Sequence, residues 1–148
     1  TNKIMETNKI MEDNKLIAEF MGAKIDENYK QYPYTWEDDY PSPRTKTLVT
    51  LSSDTLPQLQ KFRKGTEYGI YVESLQYHES WDWLMPVVDK IESFEDENRC
   101  AKYNVNMLQC WVEIINNDTS EEIVEAEGIN KLQATYHAVV EFIKHINK

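Results

Sequence analysis

The chain has 148 residues, with 26 Asp and Glu against 16 Lys and Arg, a net charge of −10. That balance excludes a broadly basic surface, so neither direct nucleic-acid binding nor attachment to an acidic membrane is expected. Hydrophobic residues make up 41% of the sequence, enough for one packed core, and no stretch approaches the ~20 apolar residues of a membrane-spanning helix.

The polar–apolar alternation at the N-terminus is not that of a secretory segment, and two cysteines are too few for a disulfide framework. A reduced, cytoplasmic protein is the expectation. Along the chain, Thr1-Asn2-Lys3-Ile4-Met5-Glu6 recurs identically over 7–12, and 13–18 is a degenerate third copy. Six residues advance a helix by about 600°, so the apolar positions of a hexad rotate around the axis and form no fixed seam. Residues 1–12 therefore read as a flexible, loosely helical extension, and 13–148 as a single domain.

From Asn14 the spacing predicts a helix, with Leu16, Ile17, Phe20 and Met21 on one face and Gly22 as its stop. Residues 23–45 hold no period and carry Pro33, Pro41 and Pro43, which reads as a long loop. Thr47 to Ser52 reads as a strand, Asp54 to Lys64 as a short helix closed by Gly65, and Tyr68 to Leu75 as a second strand. Ser80 then caps a helix to about Phe94 whose apolar arc holds Trp81, Leu84, Val87, Val88 and Ile91, with Pro86 interrupting its hydrogen bonds.

Arg99 to Tyr103 and Met107 to Ile115 read as strands joined by a turn at Asn104-Val105-Asn106, with Leu108, Cys110, Val112 and Ile114 on the apolar face. A hairpin centred on Val105 sets Cys100 opposite Cys110, although two free thiols are expected in a reducing compartment. Residues 116–128 are polar and acidic, one helical turn at most. Asn130 with Gln133 forms a capping box for a last helix burying Leu132, Tyr136, Val139, Val140, Ile143 and Ile146. The order predicts an α+β fold, a small antiparallel sheet of about four strands covered by helices.

Three stretches, Asn14 to Gly22, Tyr77 to Glu92 with its Ser80-Trp81-Asp82-Trp83-Leu84 core, and Lys131 to Lys144, together resemble a group of small phage and prophage proteins, many from the Bacteroidetes. That group is in turn similar to the phage ABA sandwich domain. The resemblance implies an α/β/α sandwich-like layering and a phage setting, and it brings no catalytic residues.

Candidate sites follow from residue type and spacing. His137, Glu141 and His145 line one helix face at metal-ligand spacing, but that face is the solvated one, so no metal is expected. His78, Glu79 and Asp82 could make an acid–base group, yet a helix N-terminus lowers a carboxyl pKa and suits Asp82 to dipole complementation instead. No nucleophile motif, phosphate-cradling glycine loop or zinc spacing occurs, so no enzyme and no cofactor is expected.

Tyr29, Tyr32, Tyr34, Trp36 and Tyr40 interleave with Glu37, Asp38 and Asp39, a composition suited to protein recognition. Tyr32, Tyr34, Trp36, Glu37, Asp38, Asp39 and Tyr40 are thus the candidate binding residues, the alternative being that the rings fold back onto the sheet.

The expectation is a non-enzymatic phage or prophage accessory protein that binds a host protein or complex, as a counter-defence inhibitor or acidic nucleic-acid mimic; a homo-oligomer is compatible with the sequence. Two alternatives stand: a nucleotide-sequestering binder using Lys61, Arg63 and Lys64, and a virion structural or assembly protein.

Overall fold

In a computed structural model of the chain, the structure describes residues 2–32, 43–52 and 66–148. The expected helix at Asp54 to Lys64 lies outside them. Among the described residues are three helices, α1 (Asn2–Phe20), α2 (Trp81–Glu92) and α3 (Lys131–Ile146). The strands are β1 (Lys24–Gln31), β2 (Arg44–Ser52), β3 (Glu67–Tyr71), β4 (Tyr103–Leu108), β5 (Trp111–Asn116) and β6 (Glu121–Glu127). They form two three-stranded antiparallel sheets, β1-β2-β3 and β4-β5-β6. The fold is α+β with antiparallel pairing throughout, but the sheet of about four strands is replaced by two sheets.

The helix expected from Asn14 begins at Asn2, so the repeat and the segment after it are one continuous element. It ends where Gly22 adopts φ +91°, with Gly22 N donating to Glu19 O (2.9 Å) and Ala23 N to Ala18 O (2.9 Å). Those two bonds satisfy carbonyls that the helix end would otherwise leave open. Lys90 from α2 completes the stop, its ammonium donating to the Phe20 carbonyl and lying 4.6 Å over the Phe20 ring.

The loop expected over 23–45 contains β1, whose side chains are almost all exposed. Its strand character comes from the backbone ladder with β2, which hydropathy does not register. The strand expected to Leu75 stops at Tyr71 and passes into a 3₁₀ turn, Val72–Ser74.

In α2, Ser80 holds the N-cap position and its carbonyl accepts from Trp83 N (3.2 Å) and Leu84 N (3.0 Å), yet its hydroxyl makes no capping bond. The helix buries Trp83, Leu84, Val87, Val88 and Ile91, while Trp81 is 36% exposed. Trp83 rather than Trp81 turns inward because the Tyr77 ring receives it edge-on, centroids 5.2 Å apart.

The hairpin expected around Val105 is displaced. Val105 lies inside β4, and the turn falls at Gln109 and Cys110, between the paired residues Leu108 and Trp111. Val112 and Ile114 face the core as expected, but Leu108 is 52% exposed and Cys110 is exposed too. Cys100 and Cys110 are exposed free thiols, so the sequence's cross-strand pairing does not arise. The polar stretch 116–128 is no helical turn but β6, with Val124 and Ala126 inward and the glutamates exposed.

The capping box is present: Gln133 N donates to Asn130 Oδ1 (2.8 Å), and Gln133 Oε1 accepts from Ile129 N (2.6 Å). Of the residues α3 was expected to bury, Tyr136, Val139, Val140 and Ile143 are buried, Leu132 is half-buried and Ile146 is exposed. The helix packs across β5 and β6, α2 against β4 and α3, and α1 against α3, β1 and β2. A chain of rings, Phe20–Phe94 (6.1 Å), Phe94–Tyr103 (6.0 Å) and Tyr103–Phe142 (4.9 Å), ties α1 to β4 and α3.

Candidate binding surface

Of the residues singled out in the aromatic loop, Tyr32 closes β1 and is 67% exposed. Tyr34, Trp36, Glu37, Asp38, Asp39 and Tyr40 lie outside the described residues. Tyr29 sits on β1 with its ring 6.2 Å from that of Tyr71.

The three acid–base candidates do not converge. His78 Nδ1 lies 3.0 Å from the Asn14 amide nitrogen, which also donates to Leu75 O (3.2 Å). Asn14 Oδ1 in turn accepts from the Tyr136 hydroxyl (3.0 Å). Asn14 is only 1% exposed, and this network pins α1 to the segment before α2 and to α3. His78 is therefore spent on structure, with Glu79 3.7 Å from its Nε2 and Asp82 exposed on the helix. Burial pushes the Tyr136 hydroxyl above its ordinary range, and the nearby Asp13 charge adds to that. Burial likewise raises the Asp13 carboxyl, against the pull of Lys144 3.8 Å away.

The His137–Glu141–His145 face is solvent-exposed, and the described residues contain no cluster of His, Cys, Asp or Glu able to hold a metal. His137 Nδ1 donates to the Glu127 carbonyl (2.8 Å), while Glu141 faces Lys144 at 3.9 Å. A second acidic group, Asp96 with Asp118, lies beside Lys102. Backbone donation from Cys100 holds Asp96 below the usual carboxyl range, and the hydrogen bond shared with Asp96 raises Asp118.

The surface that sequence reading missed is the outer face of β4-β5-β6. Val105, Val112, Ile114, Val124 and Ala126 point inward to the helices, so alternation sends Asn104, Asn106, Leu108, Trp111, Glu113, Ile115 and Glu125 outward. The register breaks between Ile114 and Ile115, so that Ile115 pairs with Glu122 and brings Glu122 toward Glu125.

Two neutral donors fix the carboxylates: Trp111 Nε1 donates to Glu125 Oε1 (2.7 Å), and Asn106 Nδ2 to Glu113 Oε1 (3.2 Å). Desolvation, a hydrogen bond shared with Glu125, and the charges of Glu125 and Glu113 together raise the Glu122 carboxyl. The available signal was the alternation in Ile123-Val124-Glu125-Ala126-Glu127, masked by the acidity of the surrounding segment.

Compared with family models, curated proteins and solved structures, the chain matches none. Among the described residues no helix is long and apolar enough to cross a membrane.

Proposed function

We propose that this chain is a non-enzymatic binding protein that engages a host macromolecule, a phage or prophage accessory factor of the counter-defence kind. The observation supporting the binding role is the outer face of β4-β5-β6, where Trp111, Leu108 and Ile115 share an open surface with fixed carboxylates. A half-exposed tryptophan with aliphatic neighbours beside positioned polar groups is the composition of a protein-recognition surface. The phage setting rests on the sequence resemblance, and Glu37 to Tyr40 are recognition residues proposed from the sequence alone.

The test is affinity capture from host lysate with wild type and with a Leu108→Ser/Trp111→Ser double variant, after circular dichroism shows both folded. The reading expects a partner retained by wild type and lost from the variant. Equal retention by both proteins removes the face from the mechanism, and the absence of any retained partner at low salt removes the binding role.

A further inference from the structure

We propose that the occupant of the outer face of β4-β5-β6 is a basic protein segment, carrying lysine or arginine against Glu113, Glu122 and Glu125 and an apolar or guanidinium group against Trp111. This inference rests on the binding role proposed above and names the partner's chemistry. The three strands contain five glutamates, at 113, 121, 122, 125 and 127, and no lysine, arginine or histidine. No described residue forms an ion pair with Glu113, Glu122 or Glu125; their described hydrogen bonds come from neutral groups or from one another.

The other sheet shows what the chain does with charge when it is meant to be satisfied internally. There Lys46 meets Glu73 at 3.0 Å and Lys24 meets Glu67 at 3.7 Å. On the acidic sheet the equivalent cations are missing from the strands, and like charges crowd on one face. A cation arriving from outside relieves that repulsion, which gives a basic partner an advantage over any neutral one.

The remaining occupants are disfavoured by the same charges. A second copy would set glutamates against glutamates, and a nucleic acid would set phosphates against them. The apolar members of the face argue against simple counter-ions. Leu108, Trp111 and Ile115 offer surface that a polyamine or metal ion leaves unburied, whereas a lysine or arginine stem covers it while its head reaches a carboxylate. The indole ring, held by its bond to Glu125, also provides a face for a guanidinium.

The probe is an amidated peptide of about twelve residues with alternating basic and apolar positions, set beside two analogues in which each basic residue becomes Glu or Ser. Amide chemical shifts and calorimetry are recorded on the whole chain between about 50 and 500 mM NaCl, a range over which screening removes exposed charge attraction.

The expected result is binding of the basic peptide with shifts confined to β4, β5 and β6, weakening about tenfold or more with salt. Replacing Glu113, Glu122 and Glu125 together by Gln should lose at least about tenfold in affinity without loss of folding. Equal binding by that variant, or shifts spread to Asp96 and Asp118, would reduce the attraction to the net charge and overturn the proposal. If the Ser peptide shifts the same strands as strongly as the basic one, the face binds but its partner is not basic. If no peptide shifts them, the basic-segment proposal fails while the lysate experiment still judges the binding role.

Discussion

The two sheets have the same topology, three antiparallel strands in sequence order, and opposite electrostatic habits. The strands of the first carry Lys24, Lys30, Arg44 and Lys46 against Asp26, Glu27 and Glu67, and Lys24 and Lys46 meet Glu67 and Glu73 as ion pairs. Lys15 of α1 also reaches Glu27 at 2.6 Å. The second carries glutamates alone among its charged residues and leans on α2 and α3 across its inner face. The difference teaches that the two faces of the second sheet are used differently: its inner side packs into the core, and its outer side carries carboxylates that accept hydrogen bonds from neutral groups and form no ion pair with a described residue.

Both sheets feed one core, Val49 and Leu51 from β2 and five residues from the second sheet, and the largest expected effect separates an inward position of the second sheet from an outlying one of the first. Ile114, fully buried beneath α3, should cost about 2–5 kcal/mol when replaced by Ala. Tyr29→Ala on the first sheet should stay within about 1 kcal/mol, because the residue is 38% exposed and lies outside the buried core. Urea denaturation measures both. Comparable losses at the two sites would mean that Tyr29 carries core packing despite its exposure.

The joint between the sheets comes next in size. Asn14 links α1, which packs on the first sheet, to α3, which packs on the second. Asn14→Ala leaves the Tyr136 hydroxyl only the longer bond to the Ile10 carbonyl (3.4 Å) and removes the bonds to Leu75 and His78, an expected loss of about 1–3 kcal/mol. Thermal unfolding by two probes should remain a single transition at a lower midpoint, and an unchanged midpoint would mean that the network carries no load.

The charge habits themselves predict smaller effects of opposite sign. Lys46→Met removes a cation that pairs with Glu73 and lies 5.9 Å over the Tyr71 ring, so it should lower stability by up to about 1 kcal/mol. Glu122→Gln should raise the melting midpoint at pH 7.

The sign follows from the raised carboxyl of Glu122. A folded-state pKa above the unfolded one gives stability that is present below the unfolded value and is lost as pH rises through the folded value. Acidifying from pH 7 into the carboxylate range should therefore stabilise through this group, and the Gln variant should lack that contribution. Asp13, also raised, has the same sign, so Asp13→Asn should likewise gain most at neutral pH. Added salt should narrow the gap between wild type and Glu122→Gln. A Gln variant that melts lower at pH 7 would show that the outer face is satisfied internally after all.

Much of the fold was legible because several segments bring their own instructions. Asn130 and Gln133 mark the start of α3 by local hydrogen bonds, Gly22 ends α1 with a positive φ, and the 3.6-residue stripe of α3 names Tyr136, Val139, Val140 and Ile143 among its buried side chains while missing Phe142. The strands at the margins were not legible in the same way. β1 is polar on nearly every residue and exists because β2 offers a ladder. The hairpin turn lies at Gln109-Cys110 although Asn104-Val105-Asn106 has the better turn residues, since burying Val105, Val112 and Ile114 together requires Val105 inside a strand. The candidate surface went unread because it depends on which side of β4-β5-β6 the helices cover.

The sequence by itself determined the stop of α1 at Gly22, the cap that starts α3, four of the inward residues of α3, the acidic balance and the absence of a long apolar stretch, since each depends on neighbours a few residues apart or on composition alone. Tertiary structure decided the rest. It chose Trp83 over Trp81 through the Tyr77 ring, turned an acidic stretch into β6 by pairing it with β5, and gathered Glu113, Glu122 and Glu125 onto one face. Those choices depend on contacts between residues far apart in the chain, where the free energy of burial and pairing outweighs local preference.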